Sequence, residues 1–414
     1  MKVVHLVTWE PRGGATLGAY WLHCALRALG VDSTILTNCN ATIDDESVIS
    51  LADSPFARLK LAASRRIARI PLSIYRKRQK RIFSTGLDGL DFTRHPAYLS
   101  ADLVHLHWVS GLVSTRALRR VTRPLVWTLR DMWPFTGGCH YSMECERYIE
   151  GCGACPQLRS HRDNDLSRFV VRRKQASVPE DIRIVGISRW LSDCASRSAV
   201  FRDCRVSTIS NNVDTQLFSP LPRHEARQAL GLHGDKRIVL IGAPNVAIFY
   251  KGFDLFVQAI DELRTDDVHV VTFGRSGSEQ LDSMGVSNTS LGYLDSTEDL
   301  RAAYSAADVF VAPSRMDAFG KTLVEAMLCG TPVVCFDAGG PKDIVEHRVT
   351  GYLAEPFSPE DLARGIRWVL EQSPGVQADM CRNAQSQARE RFDSRVIAEQ
   401  YLELYRDIMR SAKA

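Results

Sequence analysis

The chain has 414 residues, 45% of them apolar and 24% charged, with a formal net charge of +4. That is ordinary globular composition at a length that exceeds one typical domain, and no apolar run approaches the ~18–20 residues of a membrane span. No secretion signal precedes the first apolar run, so the eleven cysteines are expected in a reducing cytoplasm, as free or metal-bound thiols.

In chain order, strands and helices alternate. Residues 3–7 are a short β-branched run. Pro11, Arg12, Gly13 and Gly14 supply turn chemistry, and residues 17–29 have the apolar spacing of a helix. Residues 33–37 read as the next strand. From 54 to 87 there is no Asp or Glu, while Arg58, Lys60, Arg65, Arg66, Arg69, Arg76, Lys77, Arg78, Lys80 and Arg81 interleave with Leu59, Leu61, Ile67, Ile70, Leu72 and Ile74. This mix suits a helix lying on an anionic membrane surface; a solvated helical insertion is the plainer reading. It lacks a nucleic-acid-binding module, so no nucleic-acid partner is expected.

Further strands are expected at 103–106, 125–129, 184–187 and 206–209. His105 and His107 alternate on the first of these, a pair short of a third ligand and read as core or cleft lining. Beyond 129 come Arg130 and Asp131, then Cys139, Cys145, Cys152 and Cys155 with His140 beside the first. Four thiols ending in C-x2-C suit a closed tetrahedral zinc site, structural because no coordination position stays open; four thiols in an irregular loop are the alternative. The D-x-D triplet Asp163, Asn164, Asp165 reads as polar surface rather than a metal–diphosphate site.

Pro220 and Pro222 mark a hinge. A second alternation follows, with strands at 237–241, 268–273, 309–311 and 332–336, helices at 252–263, 297–306, 322–329 and 359–371, and an amphipathic helix at 394–409. Such alternation argues for parallel sheets covered on both faces.

The segment from Ser314 to Met327 is the richest in chemistry. It follows an apolar strand, passes Gly320 and opens a helix, a place where free backbone N–H groups gather and bind phosphate. Asp317 and Glu325 flank that turn and suit hydrogen bonds from sugar or ribose hydroxyls. An N-capping Asp and a solvated Glu are the plain alternative.

With Gly330-Thr331-Pro332, Gly339-Gly340-Pro341, Glu346 and Thr350-Gly351 after it, this segment resembles family 4 glycosyltransferases. Ile209 to Pro220 resembles that family's interdomain signature, Gly13-Gly14-Ala15 its N-terminal glycine loop, and Lys251-Gly252 its diphosphate-binding lysine. The resemblance spans nearly the whole chain and extends to the polysaccharide-assembly branch typified by colanic-acid glycosyltransferases, where similar cysteine clusters occur. It implies an α/β chain of the GT-B fold, two Rossmann-like domains with a donor cleft between them: an acceptor domain at 1–219, a nucleotide-sugar domain at 220–393, and a helix at 394–414 crossing back.

The resemblance also implies roles. Glu325 would bind the donor ribose and Asp317, where Glu is usual, the transferred sugar. The backbone of Phe319, Gly320, Lys321, Thr322 and Leu323 would hold sugar and diphosphate. Lys251 would neutralise the diphosphate, with Arg275 a second candidate, and Gly13 and Gly14 would allow close backbone approach. Asn212 stands where glycine is usual, tolerable because Asn accepts a left-handed backbone. Arg130 stands where many relatives have His. It would hold a phosphate, leaving proton work to Asp131 or His140. The implied reaction is retaining hexosyl transfer from a UDP- or GDP-linked sugar to a glycan or polyprenyl-lipid-linked hydroxyl, with no catalytic metal, at the cytoplasmic membrane face. A sugar-nucleotide epimerase and a non-catalytic sugar- or lipid-binding scaffold are the other readings.

Overall fold

The computed structural model describes residues 1–9, 13–39, 43–263, 266–275, 281–282 and 286–411. Pro11 and Arg12 of the expected turn lie outside them. The chain divides into two compact units, one of Met1–Ser210 with Ile397–Ala414, the other of Asn211–Val396. The division falls ahead of the proline-rich stretch rather than within it. The reason is local: Val213 bridges to Asp393, Thr215 donates to Asp393 (2.5 Å), and Arg301 holds the Ser219 carbonyl (2.7 Å).

The first unit is built on a seven-stranded parallel sheet in the order β3-β2-β1-β4-β5-β6-β7. Its strands are β1 (Lys2–Leu6), β2 (Asp32–Thr37), β3 (Val48–Ser50), β4 (Leu103–Leu106), β5 (Leu125–Leu129), β6 (Arg183–Gly186) and β7 (Arg205–Thr208). The central strands are buried along their length, which is why they read as apolar runs without alternation. Val3, Leu103, Val126 and Val185 pack against Leu22 and Leu26 of the helix Gly14–Ala28 and against Ile397, Tyr401, Tyr405 and Ile408 of the last helix, Ser394–Ser411.

The second unit has a six-stranded parallel sheet in the order β10-β9-β8-β11-β12-β13. Its strands are β8 (Arg237–Asn245), β9 (Val268–Arg275), β10 (Asn288–Ser290), β11 (Val309–Ala312), β12 (Val333–Phe336) and β13 (Gly351–Ala354). Val239, Ile241, Val309, Val311 and Val334 form its core with Phe256 and Ile260 of the helix Phe253–Leu263 and Leu362 and Ile366 of the helix Pro359–Leu370.

The edge strands β3, β10 and β13 are too short and mixed to stand out in sequence. The helix Pro374–Phe392 also went unanticipated, because only Met380, Ala384, Ala388 and Phe392 are buried and its apolar stripe is thin. Asn212 keeps a negative φ, so no left-handed turn is needed there; it is buried and its amide donates to Ser394 (3.2 Å). Asp165 is not surface: it is buried and caps the helix Leu166–Gln175, accepting from the N–H groups of Ser167 (2.9 Å) and Cys155 (2.8 Å).

Candidate active site

In the second unit the strand β11 ends at Ala312, and the chain turns through Pro313 to Gly320 before the helix Lys321–Leu328 begins. Gly320 sits at the N-cap with φ 103°, a backbone that favours glycine, and supplies no side-chain acceptor to the opening N–H groups. The positive end of the helix dipole is therefore open to an anion. Gly252, at φ 69°, lets the Lys251 turn lie against this loop: a Cβ there would stand 1.9 Å from the Pro313 carbonyl oxygen.

A pocket of about 380 Å³ opens at this junction, lined by Gly242, Lys251, Pro313, Ser314, Asp317, Thr322 and Pro341 among others. Lys251 Nζ lies 2.7 Å from Asp317 Oδ2, and both are only partly exposed. Burial pulls the ammonium down, but the Asp317 carboxylate outweighs it and leaves Lys251 above its usual range, firmly charged. Asp317 is held at three points: Oδ1 accepts from Phe319 N–H (3.2 Å), Oδ2 meets Lys251, and its carbonyl accepts from Gly340 N–H (2.9 Å).

Glu325 is 3% exposed and does not line the pocket. Lys321 Nζ approaches Oε1 (2.9 Å), and the Tyr304 hydroxyl donates to Oε2 (2.9 Å). Burial and the Glu325 charge push the Tyr304 phenol well up, so it stays a donor. Each carboxylate oxygen retains a further lone pair for a hydroxyl donor. Arg315 clamps the site from outside through a bidentate pair with Asp254 (2.6 and 2.7 Å), its guanidinium 4.4 Å from the Phe249 ring centroid.

The structure thus gathers Lys251, Asp317, Phe319, Gly320, Lys321, Thr322, Leu323 and Glu325 at one turn. Arg275 stands apart, exposed at the end of β9 and over the Tyr293 ring (5.4 Å). Tyr304 and Asp254 had no signal, since their partners are 21 and 61 residues away.

In the first unit, Gly13 precedes the helix Gly14–Ala28 with an ordinary extended φ of −71°, so conformational freedom is not what glycine supplies at that position. Asp131 is buried and fully engaged, accepting from Trp108 Nε1 (2.7 Å), Trp133 N–H (2.9 Å) and His140 Nδ1 (2.6 Å). His140 Nε2 reaches the Ser84 hydroxyl (2.9 Å). Arg130 is also buried; its Nη2 is 3.3 Å from His107 Nδ1, and burial brings the guanidinium down to about 10, still charged near neutrality.

Beside it, His5, His105 and His107 form a buried cluster that the sequence showed as a pair because His5 lies on another strand, directly opposite His105 in register. His5 Nδ1 lies 3.0 Å from His107 Nε2, while His105 contacts the Tyr405 (2.6 Å) and Thr128 (2.7 Å) hydroxyls. Burial holds all three imidazoles well below their ordinary range, which makes them neutral hydrogen-bonding struts.

Cys139, Cys145, Cys152 and Cys155 line one pocket, and none is in a disulfide. No three of their sulfurs lie within 4.8 Å of one another. That differs from the expected zinc tetrahedron, in which a Zn–S bond of about 2.3 Å sets sulfurs about 3.8 Å apart.

Two parallel-sheet Rossmann-like units, one with an anion-ready helix start beside a lysine and two acids, define a GT-B glycosyltransferase. The comparisons agree. The family described as glycosyl transferases group 1 matches residues 222–391. The chain is 30% identical over 347 residues to the D-inositol 3-phosphate glycosyltransferase of Saccharomonospora viridis, covering 79% of this chain and 74% of that one. It is 29% identical over 309 residues to the Mycolicibacterium smegmatis protein of the same name, covering 71% and 65%. Among solved structures, sucrose-phosphate synthase from Thermosynechococcus elongatus superposes with a TM-score of 0.71 at 22% identity, over 99% and 100% of the two chains. Anabaena HepE in complex with UDP and glucose gives 0.66 at 20% identity, over 98% and 99%. The chain belongs to the group 1 glycosyl transferases and is a nucleotide-sugar-dependent glycosyltransferase.

Proposed function

We propose that this enzyme transfers a hexosyl unit, with retention, from a UDP-sugar to a hydroxyl of a glycan or lipid-linked acceptor in cell-surface glycoconjugate synthesis. The pocket at the end of β11 carries the reading, with one ammonium and one helix start for a diphosphate and one carboxylate for sugar hydroxyls; the buried Glu325 carboxylate on the following helix, outside that pocket, is assigned to the ribose. Lys251 neutralises the leaving diphosphate, a role for a preorganised charge. Asp317 accepts from the sugar, and the departing phosphate oxygen takes the acceptor proton, so neither a protein nucleophile nor a metal is required. UDP is favoured because Anabaena HepE has been solved with UDP and with UDP-glucose. Arg130 and Asp131 serve the acceptor side by fixing the loop after β5. The family placement does not favour the epimerase or scaffold readings.

A lipid-borne acceptor is supported by the basic segment. The helix Pro55–Arg69 and the turn Ile70–Ile74 bury Leu61, Ala68 and Leu72, so Leu61 and Leu72 belong to the core and not to a membrane face. Phe56, Leu59, Ile67, Ile70 and Ile74 are 62–80% exposed. At about 100° per residue Phe56, Leu59 and Ile67 share one side of the helix, opposite Leu61 and Ala68 and flanked by Lys60 and Arg66, and Ile70 and Ile74 are exposed on the turn that follows. Such a face suits shallow insertion at an anionic surface. Among the described residues no helix is long and apolar enough to cross a membrane.

The test is a melting-temperature series with UDP, GDP and ADP on the wild type and on Glu325→Ala. A ligand that binds the folded state alone must raise Tm. UDP is expected to stabilise the wild type and not the variant; no shift with any nucleotide would overturn the donor assignment. Sedimentation with anionic vesicles, lost in a Phe56→Ser, Ile67→Ser, Ile74→Ser variant, tests the surface.

A further inference from the structure

We infer that the first unit carries a phosphate-ester subsite, built on Arg65 and Asp88, that takes an acceptor sugar joined to its carrier through a phosphate. The inference rests on the acceptor reading above and names that acceptor's class. Its place follows from the sheet order. From β1 the chain runs outward to β2 and β3, and β4 then starts on the other side of β1. In open parallel sheets, ligands bind outside the carboxyl ends of the strands where the order reverses in this way. At that end the segments after β1 and β4 are tied together: Thr8 N–H donates to the Trp108 carbonyl (2.7 Å), and the Thr8 hydroxyl to the Ser110 carbonyl (2.8 Å).

The basic helix Pro55–Arg69 delivers Arg65 to this place. Arg65 falls one turn after Leu61 and one turn before Ala68, the two buried residues of the helix, so it lies on the inward side. Arg58, Lys60, Arg66 and Arg69 of the same helix are exposed, whereas Arg65 is half-buried. Its guanidinium stands against Gly111, just beyond β4: a Cβ at Gly111 would lie 3.8 Å from Nη2 and 3.9 Å from Nε. The same position would lie 3.5 Å from Asp88 Oδ2. Two opposite charges thus face one spot over a residue that has no side chain, yet they do not pair. Among the described residues Arg65 makes no hydrogen bond or ion pair, and the Asp88 carboxylate accepts only from its own backbone. By contrast Arg120, on the same unit, pairs with Asp91 (2.6 Å). A half-buried guanidinium with five unspent N–H donors is costly, and its fork matches two oxygens of a phosphate.

Asp88 decides which kind of phosphate fits. A carboxylate repels a bare phosphate beside it but accepts from a hydroxyl. Burial pushes the Asp88 carboxyl up, with Arg65 and Arg69 pulling the other way. A sugar esterified to phosphate offers both groups at once, the phosphate for Arg65 and a neighbouring hydroxyl for Asp88. The helix accounts for the carrier. At about 100° per residue Arg65 lies opposite Phe56 and Ile67, on the far side of a cylinder about 10–12 Å across. A phosphate held by Arg65 is therefore one helix diameter from the exposed apolar side, within reach of the headgroup of a lipid carrier seated there.

The experiment titrates the full chain, with UDP present to fill the donor pocket, with glucose 1-phosphate, inorganic phosphate and glucose as probes, and reads binding by calorimetry. Glucose 1-phosphate is expected to bind more tightly than inorganic phosphate, and glucose not to bind. Arg65→Gln should weaken glucose 1-phosphate by about 10–100-fold, the scale of a charge-assisted contact, while Arg66→Ala leaves it unchanged. Arg65→Lys, which keeps the charge without the fork, should fall between. Asp88→Ala should erase the advantage of glucose 1-phosphate over inorganic phosphate. If Arg65→Gln does not fold, the Arg65→Lys and Asp88→Ala titrations carry the test. Sedimentation with phosphatidylglycerol vesicles separates the other source of phosphate. Vesicle binding lost in Arg65→Gln and Arg66→Ala alike, with glucose 1-phosphate affected by neither, makes Arg65 one more membrane cation and overturns the inference. So does a wild type that binds no phosphate ester. A donor pocket that fails to bind UDP would leave the dependence on Arg65 intact, so the donor assignment stands or falls separately.

Discussion

The donor pocket and the histidine cluster are both polar arrangements at parallel sheets, yet they are assembled in opposite ways. The pocket takes most of its chemistry from one turn, Asp317 to Glu325, with Lys251 brought in by a glycine that lets two loops touch. The histidine cluster takes one residue from β1, two at β4, Thr128 from β5 and the hydroxyls of Tyr401 and Tyr405 from the last helix, 273 and 300 residues from their partners. The first keeps charges available to a ligand. The second has neutral imidazoles and hydroxyls hydrogen-bonded to one another around Arg130, with His5 Nε2 buried and unpartnered among the described residues. Perturbing one should therefore change catalysis, and perturbing the other should change stability.

The largest effect should come from the pocket. Lys251→Ala removes the charge opposite the leaving diphosphate and should lower kcat by about 10²–10³-fold, the scale of losing one preorganised electrostatic contact. Its Tm should move little, because the ion pair with Asp317 is partly solvated and such pairs contribute little. A large Tm loss with kcat retained would reverse the assignment of these two regions.

Acid should separate the regions next. Burial takes His23 down from 6.5 to about 4, with Asp45 opposing and Arg27 assisting, and takes His5, His105 and His107 down as well. Their folded pKa values lie below the unfolded ones, so between those values the unfolded chain binds protons that the folded chain refuses. Stability is therefore complete above about 6.5 and falls as the pH drops toward 4, by about 3 kcal/mol for His23 alone. Six of the seven tryptophans, all except Trp368, lie in the first unit, so tryptophan fluorescence in urea at pH 7 and pH 5 follows it. A midpoint unchanged between those pH values would remove the case for neutral buried imidazoles.

Tyr405→Phe deletes a 2.6 Å hydrogen bond to His105 Nδ1 and should cost about 1–2 kcal/mol of stability, leaving kcat within about twofold. Equal losses in Tm and kcat would show that the cluster also shapes the reacting groups.

The same contrast explains what the sequence disclosed. Runs such as Leu103–Leu106, Leu125–Leu129 and Val309–Ala312 are buried on both faces and announced themselves as unbroken apolar stretches. The edge strands, only three or four residues long and with β3 and β10 partly exposed, did not. Within the site, residues close in sequence around Gly320 were legible because a strand, a glycine and a helix start fix their geometry locally. Tyr304 under Glu325, Asp254 on Arg315 and His5 beside His105 depend on register between distant segments, which no local pattern encodes. Leu61 and Leu72 were misread for the same reason: apolar spacing says that a face exists, and only packing says which face is buried.

The smallest effect should come from Asp317→Glu, and it bears on whether the shorter acid is a matter of reach or of local geometry. Asp317 Oδ1 accepts from the N–H two residues on, a ring that closes with an aspartate side chain and is poorly closed by a glutamate. The longer side chain can still meet Lys251, since an ammonium on a flexible stem follows its partner. The substitution should therefore weaken the turn by no more than about 1 kcal/mol, the value of one ordinary hydrogen bond, while moving the carboxylate outward by one methylene. If Asp317 contacts the transferred sugar, that shift should alter KM and the ratio of kcat/KM between epimeric UDP-sugars by several-fold, with UDP binding itself unchanged. If both ratios hold constant and Tm alone moves, Asp317 serves the loop, and sugar selection lies elsewhere in the pocket.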